Sequence, residues 1–154
     1  MPGIQTTVLG IVRRDDEYLV QRLTDAGGDP FYRPIGGGVE FGEASGEALE
    51  REFREELDAG LAAGPTVGTI ENRFTWGGER QHEWVIARRA AFEDDARYDR
   101  DRFAGEDAGG RIQYEATWHT LDALRTGPEP LYPDGLGELL AGQGGTGRGH
   151  LPRE

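Results

Sequence analysis

The sequence predicts a mixed α+β domain built around one core, and three observations carry that prediction. A chain of 154 residues fits a single domain. Its 36% apolar and 9% aromatic residues supply a core, although 30% of the chain is charged. The periodic segments follow the order β, β, helix, β, β, β, helix, which has too few strand–helix alternations for a doubly wound parallel sheet.

Each element has its own warrant. Residues 6–12 are β-branched and apolar, residues 14–17 are a polar Arg-Asp-Asp-Glu turn, and residues 18–22 resume the pattern, so a β-hairpin is expected. The breakers Gly27, Gly28, Asp29 and Pro30 mark a loop over 24–30, and the aromatic segment 31–35 runs into Gly36-Gly37-Gly38. Ser45 is placed to cap a helix in which Ala48, Leu49, Phe53 and Leu57 recur at helical spacing, closed by Asp58 and Gly60. Strands over 66–76 and 81–92 flank Gly77-Gly78 as a second hairpin. Residues 93–110, charged and without an apolar period, read as a solvated loop. A strand over 111–119, a helical turn at 121–125 and a last helix opened by Pro133-Asp134 complete the domain through residue 141. Residues 142–154 are expected to be a flexible Gly-rich tail.

The formal charge of -12 makes duplex nucleic acid an unsuitable partner. All 17 basic residues are Arg, and with 25 Gly and the acidity this suggests a halophilic habitat, for which a GC-rich genome is the alternative cause. Cysteine is absent, which removes disulfides, thiolate metal sites and a cysteine nucleophile. His82, His119 and His150 are too scattered for a zinc site. No apolar run is long enough to span a membrane, and residues 1–13 lack the pattern of a secretory signal, so the cytoplasm is the expected compartment.

Chemistry concentrates in residues 36–60. From Glu40 to Asp58 there are eight acids and two Arg, a net charge of -6. On a helix, Glu52, Glu55 and Glu56 fall within an arc of roughly 100° beside the apolar stripe of Leu49, Phe53 and Leu57. Like charges so placed repel one another, and a divalent cation reverses the sign of that cost. Carboxylate oxygens suit Mg²⁺ or Mn²⁺, which commonly bridge to substrate phosphates. The acids of residues 94–107 do not follow the spacing of a calcium-binding EF-hand loop.

The same stretch is similar to the Nudix box. Gly37 fits its first position, Glu43 its second, Arg51-Glu52 follow seven residues later, Phe53 is the apolar position and Glu55-Glu56 the acidic pair. The usual Gly is replaced by Asp58, with Ala59 after it. Asp tolerates the left-handed conformation better than most residues, so only a local adjustment is expected.

The resemblance implies the Nudix fold, a curved mixed sheet sandwiched between helices. It implies a Mg²⁺-dependent hydrolase, with Mn²⁺ as the other candidate, that cuts the phosphoanhydride of a nucleoside diphosphate linked to another group. Nucleoside triphosphates, ADP-ribose, dinucleoside polyphosphates, nucleotide sugars and an RNA cap all remain open as substrates. By the resemblance, Glu52, Glu55, Glu56 and the carbonyl of Gly36 are metal ligands, and Arg51 orients the carboxylates through Glu43. The general base is a box Glu, Glu115 or Glu83. Arg33, Tyr32, Phe74 and Trp76 are candidates for substrate contact. A homodimer is common among similar proteins, and no membrane partner is expected. The alternative is an inactive Nudix-like module that senses a ligand or binds a protein; that would predict damage among the three carboxylates, and all are present. An isoprenoid diphosphate isomerase on the same scaffold would need the cysteine this chain lacks.

Overall fold

A computed structural model describes residues 3–142. The first apolar segment forms β1 (Ile4–Ile11), and the chain continues through β2 (Arg13–Arg14), β3 (Glu17–Thr24), β4 (Pro30–Arg33) and β5 (Gly36–Gly38) to α1 (Ser45–Leu57). The long strands β6 (Leu61–Trp76) and β7 (Glu79–Phe92) follow. Then come β8 (Arg102–Asp107), β9 (Ile112–Thr120), α2 (Leu121–Thr126) and α3 (Leu136–Ala141). One sheet has the order β5-β1-β7-β6; in the other, β3 pairs with β9, β9 with β8, and β2 and β4 both pair with β3.

The pairing of β1 and β7 is parallel, from Ile4↔His82 to Ile11↔Arg89, whereas the other ladders are antiparallel. Two buried clusters lie on opposite sides of the sheets. Val8, Ile35, Phe103, Tyr114 and Trp118 pack with Leu49 and Phe53 of α1. Ile11, Tyr18, Val20 and Ala87 pack with Leu124, Leu136 and Leu140 of α2 and α3. The sheets are thus sandwiched between helices, as expected. Phe53, completely buried, contributes about 1.5–3 kcal/mol by leaving water. Gly10 in β1 makes its approach possible, since a Cβ there would lie 2.9 Å from the Phe53 ring.

The helix over 45–57 and the 66–92 hairpin form with slightly longer strands than expected. Gly77 and Gly78 turn the hairpin at φ 59° and 82°, values that favour glycine. Four local expectations are corrected. First, the 6–22 hairpin is reduced to the short ladder Arg13↔Tyr18 and Arg14↔Glu17, because β1 gives its two edges to β5 and β7. Second, residues 93–110 are not simply a solvated loop. They hold a 3-10 turn (Asp95–Asp99) and β8, whose Phe103 is 2% exposed. Charge on the outward positions hides the alternation of Phe103, Gly105 and Asp107. Third, Ser45 is the first helical residue and not the cap; the Glu47 carboxylate accepts the Ala44 N–H at 2.9 Å, and Ser45 Oγ accepts from Arg88. Fourth, α3 starts at Leu136, later than Pro133-Asp134 suggests.

Asp58 ends α1 in the left-handed region, φ 52° and ψ 43°. Its N–H reaches the Arg54 carbonyl, the single 5→1 bond of an αL close, and the N–H of Ala59 reaches the Phe53 carbonyl. The expected tail over 142–154 lies, from residue 143 on, outside the described residues.

Candidate metal and substrate site

The helical repeat puts Glu52 and Glu56 one turn apart on the side of α1 that meets β5 and β8. Glu56 is 5% exposed, the Glu52 side chain 13% and the Glu55 side chain 59%, so the three box carboxylates occupy unlike environments. Strand β8 brings Asp107 to the same place: Glu52, Glu56 and Asp107 each offer an oxygen within 4.8 Å of the others. Tyr114 on β9 donates its hydroxyl to Glu56 Oε1 at 2.6 Å. The Tyr114 ring lies across Gly105, where a Cβ would come within 2.4 Å of it.

The electrostatics follow from this crowding. Burial foremost, then the adjacent Glu52 carboxylate, pushes the Glu56 carboxyl up to about 9; Asp107 adds to the rise and the Tyr114 hydrogen bond opposes it. Burial and the Glu56 charge also push the Tyr114 hydroxyl up, so it remains a donor. Glu56 Oε2 is buried with no hydrogen-bond partner among the described residues. An orphaned carboxylate oxygen amid two further carboxylates is costly in a metal-free protein. It is the donor set a hard divalent cation takes, so the residues present fit Mg²⁺ or Mn²⁺.

Arg51 holds the box together. Its Nε and Nη2 reach Glu43 at 2.8 and 3.0 Å, Nη1 reaches Glu52 and Glu55 at 3.1 and 3.2 Å, and Nη2 also reaches the Gly38 carbonyl at 3.0 Å. Each of the five N–H donors of the guanidinium has an acceptor. Hydrogen bonding to Arg51, and then the Glu40 N–H, holds the Glu43 carboxyl at about 2, and the Glu43 carboxylate, with Glu52 after it, raises the Arg51 pKa.

Gly36 admits no side chain, and Gly37 admits one only if Glu52 moves. A Cβ on Gly36 would fall 1.9 Å from the Val8 carbonyl, and one on Gly37 would fall 2.4 Å from the Glu52 carboxyl carbon. Gly37→Ala is therefore expected to displace Glu52 and to weaken Mn²⁺ binding about tenfold to a hundredfold, read by calorimetric titration.

The remaining candidates are placed elsewhere. Glu115 alternates with Tyr114 along β9 and points to the opposite face, where Arg102 meets it at 3.0 Å. Glu83 lies in β7, 7% exposed, on the face of the sheet opposite the carboxylates: it accepts from Thr7, whereas Gly37, which packs on Glu52, pairs with the next residue, Val8. Arg33, Phe74 and Trp76 line a separate cavity of 240 Å³ with Phe31, Asn72 and Tyr132. Tyr32 turns to the other side of β4 and meets the His119 ring at 4.7 Å. Asp107, Tyr114 and Asn72 stand at these two places outside the Nudix-box motif. The alternations Phe103-Gly105-Asp107 and Tyr114-Ala116-Trp118 were the available signals for the first two.

Comparison with known proteins agrees with this geometry. A family model described as NUDIX domain matches residues 3–140. Among solved structures, the chain is similar to a NUDIX hydrolase from Nitrosomonas europaea, with 19% identity, 96% of this chain and 93% of that one covered, and a TM-score of 0.62. It is similar to a MutT NUDIX hydrolase from Burkholderia pseudomallei, with 21% identity, coverage of 90% and 97%, and a TM-score of 0.62. It is also similar to an ADP-ribose pyrophosphatase from Streptococcus suis, with 16% identity, coverage of 89% and 87%, and a TM-score of 0.55. At these identities the likeness to the solved structures is one of fold. No curated protein matches the chain.

Proposed function

The chain belongs to the NUDIX domain family, and from that premise we propose that it is a pyrophosphohydrolase that cuts the phosphoanhydride of a nucleoside diphosphate derivative with a divalent cation held by α1. The observation that supports this reading is the cluster of Glu52, Glu56 and Asp107 with its orphaned buried oxygen. Glu52, Glu55 and Glu56, with the Gly36 carbonyl, are the ligands we assign, and Asp107 joins them from β8. When bound, Mg²⁺ or Mn²⁺ would neutralise phosphate oxygens and lower the pKa of water.

The chain's own residues have distinct roles in this reading. Tyr114 fixes the Glu56 carboxylate by donating to Oε1. Arg51 fixes Glu52 and Glu55 at once and ties both to Glu43. A base must reach water beside the reacting phosphate, and Glu115 faces away from α1. We therefore assign proton acceptance to Glu55 or to Asp107 of the cluster, whichever the cation would leave free, in place of Glu115 and Glu83. Arg33, Phe74 and Trp76 border the cavity that receives the rest of the substrate; Tyr32 supports β4 from behind. A small nucleotide substrate made in the cytoplasm suits this reading, and a dimer is not required by it.

The test is a panel of nucleoside triphosphates, ADP-ribose, dinucleoside polyphosphates, nucleotide sugars and capped RNA, with Mg²⁺ or Mn²⁺, at low and high salt. At least one is expected to release a nucleotide or phosphate product, and excess chelator is expected to remove that activity. Turnover that survives chelation would overturn the metal assignment. Tight binding without any turnover would favour the ligand-sensing module.

A further inference from the structure

Glu83 is an acid on an inner strand position, so its surroundings decide whether it is a reactant. Thr7 Oγ1 donates to Oε1 at 2.7 Å, Asn72 Nδ2 donates to Oε2 at 2.8 Å, and Arg33 Nη2 lies 3.4 Å from both oxygens. The carboxylate is 7% exposed and both oxygens are engaged. It is poorly placed to accept a proton, yet it grips two side chains that line the 240 Å³ cavity.

The rest of that cavity is aromatic. Phe31 and Trp76 meet edge to face at 6.3 Å, Tyr132 lies 5.2 Å from Phe31, and Phe74 completes the wall. Such walls suit a flat heterocycle. Pockets that take a whole drug-sized ligand run to about 300–1,000 Å³, so this one has room for part of a nucleotide. Asn72 retains its side-chain carbonyl, and Arg33 retains further N–H groups, with no other partner among the described residues. Side by side they present an acceptor and donors, the complement of a base edge.

We propose that Glu83 is a positioning residue for substrate recognition: its buried carboxylate sets Arg33 and Asn72 at the aromatic cavity, where they receive the base of the nucleoside diphosphate. This rests on the hydrolase reading above and adds which end of the substrate the cavity takes. The carboxylates of α1 lie on the other face of the sheet, whose edge strand β5 is three glycines.

The experiment compares wild type, Glu83→Gln, Arg33→Ala and the double variant in steady-state kinetics. Calorimetric titration with ADP, GDP, CDP, UDP and inorganic pyrophosphate accompanies the kinetics, and thermal unfolding checks the fold. Glu83→Gln is expected to raise KM and the nucleotide Kd about tenfold, to leave kcat within about threefold and to leave pyrophosphate binding unchanged. The double variant is expected to lose less than the sum of the single losses, since Glu83 acts in part through the Arg33 guanidinium and in part through Asn72. An unchanged nucleotide Kd, or equal weakening of pyrophosphate, overturns the proposal. A hundredfold fall in kcat at constant KM also overturns it and returns Glu83 to the base role. If wild type turns over no substrate while Glu83→Gln still weakens nucleotide binding, the hydrolase reading falls and the cavity assignment stands.

Discussion

Glu56→Gln is expected to lower turnover at least a hundredfold while making the metal-free protein more stable. The two effects separate because Glu56 is useful only when a cation faces it. Without one, its carboxyl is buried beside Glu52 and Asp107 and is pushed up to about 9 from 4.5. A carboxyl raised in this way binds its proton more tightly in the folded chain than in the unfolded one. Its favourable contribution is complete below about 4.5 and is lost as pH rises toward about 9. Metal-free wild type should therefore lose melting temperature across that window, and Glu56→Gln should flatten the slope. Glutamine keeps an oxygen for the Tyr114 hydroxyl and carries no charge, so the variant should melt several degrees higher at pH 8, at roughly 2–4 °C per kcal/mol. Mg²⁺ should raise the melting temperature of wild type and leave that of the variant nearly unchanged. Thermal scans over pH with and without Mg²⁺, beside a turnover assay, would show it. An active Glu56→Gln enzyme would remove Glu56 from the site.

Arg51→Lys, a change that keeps the charge, is expected to weaken Mn²⁺ binding about tenfold to a hundredfold and to lower turnover with it. One ammonium has three donors where the guanidinium serves Glu43, Glu52, Glu55 and the Gly38 carbonyl. With Lys, Glu43 loses its two-pronged partner and the turn over 38–43 loses its tie to α1. The low value of about 2 for Glu43 marks an acid-side contribution, present above about 4.5 and lost as pH falls through about 2. Arg51→Lys should therefore unfold at higher pH during acid titration, followed by circular dichroism. An acid midpoint and Mn²⁺ affinity equal to wild type would show Arg51 to be an ordinary surface cation.

The helix and its carboxylates were legible because they are local. Leu49, Phe53 and Leu57 fix the buried side of α1, and helical geometry alone then places Glu52, Glu55 and Glu56. Asp58 could be assigned its left-handed close from its position after Leu57, and φ 52° agrees. Asp107 was not legible, because its approach to Glu56 depends on how β8 registers on β9 and how both pack on α1, contacts about fifty residues apart along the chain. Glu115 illustrates a finer limit. The apolar alternation marks the strand, and its parity sends Tyr114, Ala116 and Trp118 inward and Glu115 out. For Glu83 the missing information was the parallel pairing with β1, which brings in Thr7 from 76 residues away.

That parallel pairing also sets a timetable for synthesis. As the ribosome releases the chain, α1 emerges well before β7, the inner neighbour of β1, and before β9, the inner neighbour of β3. The sheet that holds β1 cannot close until residue 92 is free and the other until residue 120, so the apolar side of α1, which also packs on Phe103, Tyr114 and Trp118, waits in an incomplete chain. Completion of the core around α1 should thus be late, with the acids near α1 keeping the waiting chain soluble before any cation has arrived.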